Sequence, residues 1–408
     1  MAVIELETAL EKKDFELLSN LGMTAANNGI WLWLVGGSVR DIILGSQIND
    51  FDLTSEAPAE DLGKLLIASH HGLIKSKSQF KTQKLVFDST IIDLATTRKE
   101  TYAKPGALPV ISWGSLEEDL IRRDFSINSM AVSLHPDNFG ILVDKNYGQQ
   151  DINNRLIRIL HPSSFLDDPT RLFRAVRYQI RLGFDIENQT LGLINQSSPF
   201  IAGISAARLR REIELILHEE NSVEILMEAT RLEILSHVNP LFKTSLLKNP
   251  LIQSIQRGCK GNVLLGVLGS VLPEKEILNL KKRLGVTKKQ AKILDDINYL
   301  KKIESIFTAP LDANHLYSML LATDREAIMV IASTTSNPMV ARNLDRYLAG
   351  NLLRMPLSGA ELIELGLKPG PEIGMMQREL RCAMIDRIIL DKRDAVLFVL
   401  TKLEESLN

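Results

Sequence analysis

At 408 residues, 45% hydrophobic and 24% charged, the chain has the make-up of a globular protein of two or more domains, which excludes a disordered design. A formal net charge of −2 offers no global attraction for nucleic acid, so such contacts must come from local basic patches, and 5% aromatic content excludes extended base stacking as the main recognition device. Cys259 and Cys382 lie far apart without metal-ligand spacing, and no apolar run approaches about 18 residues, so neither a disulfide framework, a zinc site nor a membrane span is expected, and the cytoplasm is the expected compartment.

Leu6, Leu10, Phe15, Leu17, Leu18 and Leu21 form an amphipathic pattern that predicts one or two packing helices before residue 30. Trp31 to Val35 reads as a buried strand ending in Gly36-Gly37, after which a helix starts near Ser38. A triphosphate fits such a strand-to-helix turn because backbone N–H groups and the helix dipole favour an anion there, and Arg40 adds a cation. Asp50 to Thr54 reads as a second strand, whose period of two puts Asp50 and Asp52 on one face and Phe51 and Leu53 on the other. Two acids on one face can hold Mg²⁺. A glycine pair or an Asp-x-Asp strand alone is ordinary, but a phosphate-shaped turn followed by a same-face acid pair is what metal-assisted nucleotide chemistry needs.

Pro58 to Ser69 has a helical pattern, and Leu73 to Ile74, Lys84 to Phe87 and Thr90 to Ala95 read as strands, the last two joined by a turn at Asp88-Ser89. Asp93 interrupts an apolar run and needs a partner: a metal shared with Asp50 and Asp52, an edge position, or a salt bridge. Residues 96–115 read as a loop, with Tyr102 to Pro109 a flap over a site. Leu116 to Val132 reads as one helix capped by Ser115, carrying the block Arg122-Arg123-Asp124 on half-packed turns. Ile141 to Asp144 reads as a short strand.

Asp168 as N-cap and Pro169 at the first helical position specify the next helix. Arg171, Arg174, Arg177 and Arg181 share about a third of its circumference, opposite Leu172, Phe173, Val176 and Ile180. Four arginines without interleaved acids repel one another, and a polyanion relieves that repulsion. From Ile204 onward the period is helical, with Pro240, Pro250, Pro273, Pro310 and Pro338 as expected boundaries of a bundle or helical array. The lysines and Arg283 around Gly285 suit RNA phosphates and solubility equally.

Gly36-Gly37-Ser38-Val39-Arg40-Asp41 with Asp50-Phe51-Asp52, then Arg122-Arg123-Asp124-Phe125-Ser126-Ile127-Asn128, then Asp168-Pro169-Thr170-Arg171 through Arg177 resemble, in order, the motifs of the bacterial class II tRNA nucleotidyltransferase and poly(A) polymerase family. The segment from Leu357 to Gly374 is similar to that family's tail. The resemblance implies an α+β chain: a polymerase-β-type nucleotidyltransferase head (1–145), then an all-helical neck (146–220), body (221–310) and tail (311–408) that hold tRNA. It implies template-independent addition of C and A to the tRNA 3′ end from CTP and ATP, with Mg²⁺ as cofactor. Asp50 and Asp52 would bind the metal ions, with Asp93 a further catalytic acid. Gly36, Gly37 and Arg40 would bind the triphosphate, Arg123 and Asp124 would contact the sugar, and Asn128 would belong to the same nucleotide-binding site. Asp168 and Arg171 would read the base, supported by Arg174 and Arg177.

An acceptor and a donor suffice for that reading: Asp168 accepts from the amino group that C and A share, Arg171 donates to a ring acceptor, and U and G present the opposite pattern. Relatives that complete CCA carry Asp and Arg in the flap, where this chain has Lys104 and no such pair. Addition of CC alone or A alone, poly(A) synthesis, and an inactive fold that only binds RNA are the alternatives. Residues 75–86 lack the Arg-Phe-rich signature of the poly(A) branch.

Overall fold

The computed structural model describes residues 2–48, 50–77, 82–350 and 352–407. Residues 78–81 of the segment used to weigh poly(A) synthesis lie outside the described residues. The chain divides into two compact units, residues 1–205 with 232–237, and residues 206–231 with 238–408.

The first unit is built on seven strands in the order β3-β4-β5-β2-β1-β8-β9. They are β1 (Trp33–Val35), β2 (Asp50–Ser55), β3 (Leu73–Lys77), β4 (Thr82–Phe87), β5 (Thr90–Thr96), β8 (Ala131–Ser133) and β9 (Leu142–Val143). Only β2 and β5 run parallel; the other neighbours are antiparallel. Alternation sorts the residues: Phe51, Leu53, Leu85, Phe87, Ile92 and Leu94 are buried, while Asp50, Asp52, Lys84 and Asp93 stand on the open face. Helix Ala59–His70 packs against β4 and β5, burying Leu62 and Leu66, and helix Lys12–Asn27 packs against that helix. Each such leucine contributes roughly 1.5–3 kcal/mol of burial.

In the first unit two expectations fail, both because of strand pairing, and the stretch expected as an all-helical neck carries a short parallel pair, Leu156–Ile157 with Asp185–Ile186. The segment from Leu116 to Val132 is not one helix. Ser115 caps a short helix in a reciprocal box with Glu118, but that helix ends at Ile121, a bend follows, and Ala131–Ser133 joins the sheet beside β1. Buried pairing between β1 and β8 overrides the local helical period. Residues 96–115 are not one loop either: β6 (Arg98–Thr101) and β7 (Val110–Trp113) form a separate antiparallel hairpin around residues 102–109.

The second unit is helical throughout its described residues. Pro250 does not bound a helix but lies inside Thr244–Gln256, where the buried Leu247 and Leu251 on either side supply packing that offsets the missing hydrogen bond. Around Gly285, Lys281 pairs with Asp295, Lys292 with Asp296 and Lys289 with Glu326, so part of this basic patch is internally neutralised. Towards the end of the chain, Leu357, Leu362, Leu380 and Val399 anchor a separate core, and Pro371 opens helix Pro371–Ile385 after Gly370.

Gly22 sits where helix Lys12–Asn27 crosses the end of β8, and a Cβ there would lie 2.0 Å from the Leu134 carbonyl oxygen. Gly22→Ala is therefore expected to destabilise the chain by about 1–3 kcal/mol, although alanine is intrinsically favoured in helices by about 1 kcal/mol. Urea unfolding measures it, and a stabilised variant would show that the helix can move off the sheet.

Candidate active site

The acid face is set by register. Asp52 on β2 is paired with Asp93 on β5, and Asp93 is paired in turn with Lys84 on β4. Lys84 Nζ lies 2.9 Å from Asp93 Oδ2 and 3.6 Å from Asp50 Oδ2. Asp93 thus has a salt-bridge partner and stands beside the predicted acid pair. Burial pushes the Asp52 carboxyl up to about 6, with Asp93 and Asp50 adding to the rise and Arg123 and Lys84 opposing it.

The glycine turn leans over these acids. Gly36 has φ +71° and ψ −131°, a conformation that needs glycine, and a Cβ there would lie 2.5 Å from Arg123 Nη1 and 3.7 Å from Asp52 Oδ2. Helix Gly37–Ile43 follows, and its Ser38 hydroxyl accepts from the Asp52 N–H and donates to the Asp50 carbonyl, fastening turn to strand. Arg123 is held by Asp119 at 3.0 Å, yet its Nε is buried with no hydrogen-bond partner among the described residues. Asp119 also binds Arg122 through Nε and Nη2. Burial alone would raise its pKa, but the charges of Arg123 and Arg122 prevail and lower it. Sequence reasoning missed Asp119; its signal was an acid three and four residues before the arginine pair on a helix.

Arg40 does not face solvent. It is 2% exposed, forks onto Asp41 at 2.8 and 2.9 Å and donates to Asn128 Oδ1 at 2.5 Å. Asn128 donates in turn to Asp124 Oδ1 at 2.9 Å, which also accepts from the Phe125 N–H. Arg174 reaches the other oxygen of Asp124 at 2.7 Å from Nε and 2.5 Å from Nη2. The ring closes at Tyr178, whose hydroxyl meets Arg174 Nη2 at 3.1 Å and whose face lies 5.2 Å from the Arg40 guanidinium. Burial opposes ionisation of Asp124, but the charge of Arg174 and its hydrogen bonds with Asn128 hold the carboxyl well below its usual range.

The helix expected to start at Pro169 is observed as Thr170–Leu182, one residue later, with Pro169 rather than Asp168 at the cap position; the Asp168 carboxylate accepts from the Thr170 N–H at 2.9 Å. The predicted arginine stripe is not a solvated face. Arg171 and Arg177 are buried, and Arg174, Arg177 and Arg181 gather with Arg40 around the Tyr178 ring, a residue that sequence reasoning passed over. Arg171 donates to Ser164 Oγ and to the Arg122 carbonyl, both at 2.6 Å. It lines a cavity of about 270 Å³ with Asp167, Arg122, Tyr102, His161 and Ile121. Residues 102–109 therefore begin beside Arg171: burial and a 2.6 Å bond to Glu100 raise the Tyr102 phenol, and Gly106 N–H donates to the Leu166 carbonyl.

Asp50, Asp52 and Asp93 offer carboxylate oxygens alone, the donor set of a hard divalent cation. Among the described residues no three such side chains converge closely enough to form a ready-made cage. A divalent cation fits the pair Asp50 and Asp52 all the same: Asp52, raised chiefly by burial, also feels the charges of Asp93 and Asp50, and added positive charge would favour its ionised form.

Residues 32–158 match the poly A polymerase head domain, and residues 183–246 match the family described as the probable RNA and SrmB-binding site of polymerase A. An A-adding tRNA nucleotidyltransferase of Halalkalibacterium halodurans is 32% identical over 95% of this chain and 92% of its own length. The solved structure of a CCA-adding enzyme in an apo form superposes with a TM-score of 0.77 and 25% identity, covering 98% of this chain and all of that one. The Thermotoga maritima CCA-adding enzyme complexed with tRNA shares the fold with the same TM-score at 23% identity, over 98% of this chain and 99% of its own. Fold and matched head domain define a nucleotidyltransferase of the polymerase-β type, a class that works with a divalent metal. Within that class, the chain belongs to the tRNA nucleotidyltransferase family.

Replacing Asp124 with Asn would leave the half-buried Arg174 beside a neutral group, at a cost of about 1–3 kcal/mol. A carboxylate whose pKa falls on folding stabilises the fold above its unfolded value of about 4 and loses that contribution as pH drops through its folded value. The stability gap between wild type and Asp124→Asn should therefore be constant from about pH 8 to about pH 4 and close below it. Urea titrations across pH measure the gap, and one that widens on acidification contradicts the pairing.

Proposed function

We propose that this chain builds the CCA end of tRNA, adding C and A nucleotides to the 3′ end from CTP and ATP without a nucleic-acid template and releasing pyrophosphate. The observation that carries the reading is the convergence of the Gly36 turn and Arg123 on Asp52, with a buried Arg123 Nε that has no hydrogen-bond partner among the described residues. A ligand with phosphate oxygens would complete it.

In this reading Asp50 and Asp52 hold Mg²⁺, which when bound lowers the pKa of the RNA 3′-hydroxyl and neutralises charge on the triphosphate. Gly36 and Gly37 let the phosphates approach the backbone, and Arg123 offsets charge developing on the leaving pyrophosphate. Arg40 and Asn128 support the turn from beneath. Asp124 positions Arg174 while the sugar binds against the same block. Asp168 and Arg171 read the amino group and ring acceptor of the base beside the cavity that opens on the flap, and Arg177 supports them from within. The helical remainder, divided into neck, body and tail, holds tRNA.

A second reading, addition of the terminal A alone, is favoured by the similarity to the A-adding tRNA nucleotidyltransferase of Halalkalibacterium halodurans. Purified protein and Mg²⁺ incubated with tRNAs ending at the discriminator, at C and at CC, with CTP or ATP, followed by 3′-end sequencing, separates the two. CCA building predicts extension of all three ends. Extension of the CC end alone, by one A, supports the second reading. Asp50→Ala should lower incorporation by at least about two orders of magnitude while tRNA binding in a gel-shift titration stays near wild type; undiminished incorporation would sink the catalytic assignment. Arg171→Ala should let UTP and GTP compete, and products that keep their C and A selectivity would show that the base is read elsewhere.

A further inference from the structure

Lys84 was not a candidate on sequence grounds, yet it stands on the acid face. Its strand alternates, with Gln83, Leu85 and Phe87 buried and Lys84 turned to the open side, directly beside Asp93 in register. From there the ammonium reaches Asp93 at 2.9 Å and Asp50 at 3.6 Å, while Asp52 lies beside Asp93 on the neighbouring strand. Three carboxylates on adjacent parallel strands repel one another, and a fixed cation among them offsets that repulsion.

We propose that Lys84 is a built-in counter-cation for the acid face. In the metal-free protein it neutralises Asp50 and Asp93, and it gives up Asp50 when a divalent cation enters. Asp93 is then a positioning residue that retains the lysine on the open face and is not a metal ligand. Because the entering metal must displace a bound ammonium, the site binds the bare cation weakly. This rests on the reading that Asp50 and Asp52 hold the metal.

Mn²⁺ binding to the whole chain, measured without nucleotide by electron paramagnetic resonance at a fixed pH near 8, tests it, with the thermal midpoint of the metal-free protein as a second readout. Lys84→Met should bind Mn²⁺ about tenfold more tightly, since one unit charge some 4 Å from a carboxylate is removed, and should melt at a lower temperature in the absence of metal. Lys84→Arg, which keeps the charge, should stay near wild type in both. Asp93→Asn in the Lys84→Met background should weaken Mn²⁺ binding by no more than about tenfold, the through-space loss of one nearby charge. An Mn²⁺ affinity in Lys84→Met equal to wild type, with binding abolished in Asp50→Asn, overturns the role of Lys84 alone. A loss of about a hundredfold or more on adding Asp93→Asn makes Asp93 a ligand and overturns its positioning role. Wild-type Mn²⁺ binding in Asp50→Asn overturns the metal assignment and the proposal with it.

Discussion

The buried carboxylate of Asp124 is the constraint on which the site depends. An ionised group almost out of solvent is tolerable only when every oxygen is matched, and here Arg174, Asn128 and the Phe125 N–H match both. Its partners come from separate parts of the chain: Asn128 leads to Arg40 behind the glycine turn, and Arg174 leads to the base-reading helix. One carboxylate therefore ties the helix after the glycine turn, Gly37–Ile43, to helix Thr170–Leu182. In the proposed reading, that tie holds base contacts and reacting phosphate in one network, a physical basis for choosing a nucleotide without a template.

Charge is laid out in the same economical way. The open sheet face collects carboxylates, Arg123 approaches them beside the glycine turn from the end of helix Leu116–Ile121, and a second group of arginines surrounds Tyr178. Like charges sit close together on both sides, so each group needs a partner of the opposite sign. Asp119 and Asp124 supply it to the arginines, and Lys84 supplies it to the acids. A nucleotide carrying metal and phosphate brings both signs and can complete both groups.

Much of this was legible in the sequence because it rests on local rules. The period of two put Asp50 and Asp52 on one face, Gly36-Gly37 marked a turn that only glycine allows, and Asp168-Pro169 marked a helix start. The α+β head and helical remainder followed from the same patterns and from the ordered motifs. What was not legible depended on pairing between distant segments. The stretch from Leu116 to Val132 has a helical period, but β8 is claimed by β1. The arginines of helix Thr170–Leu182 read as a stripe awaiting a polyanion because their partners within the chain, Asp124 and Tyr178, become neighbours only in three dimensions or on the turn between them. Lys84 is one lysine among many until strand register sets it beside Asp93.

The central claim is that Asp124 couples the phosphate turn to base choice. The direct measurement is a double-mutant cycle in single-turnover nucleotide addition, comparing kcat/KM for CTP and UTP in wild type, Asp124→Asn, Arg171→Ala and the double variant. Coupling predicts that Asp124→Asn loses most of its preference for CTP and that the two substitutions are non-additive by at least about 1 kcal/mol. Full discrimination retained in Asp124→Asn, with effects that simply add, would contradict it.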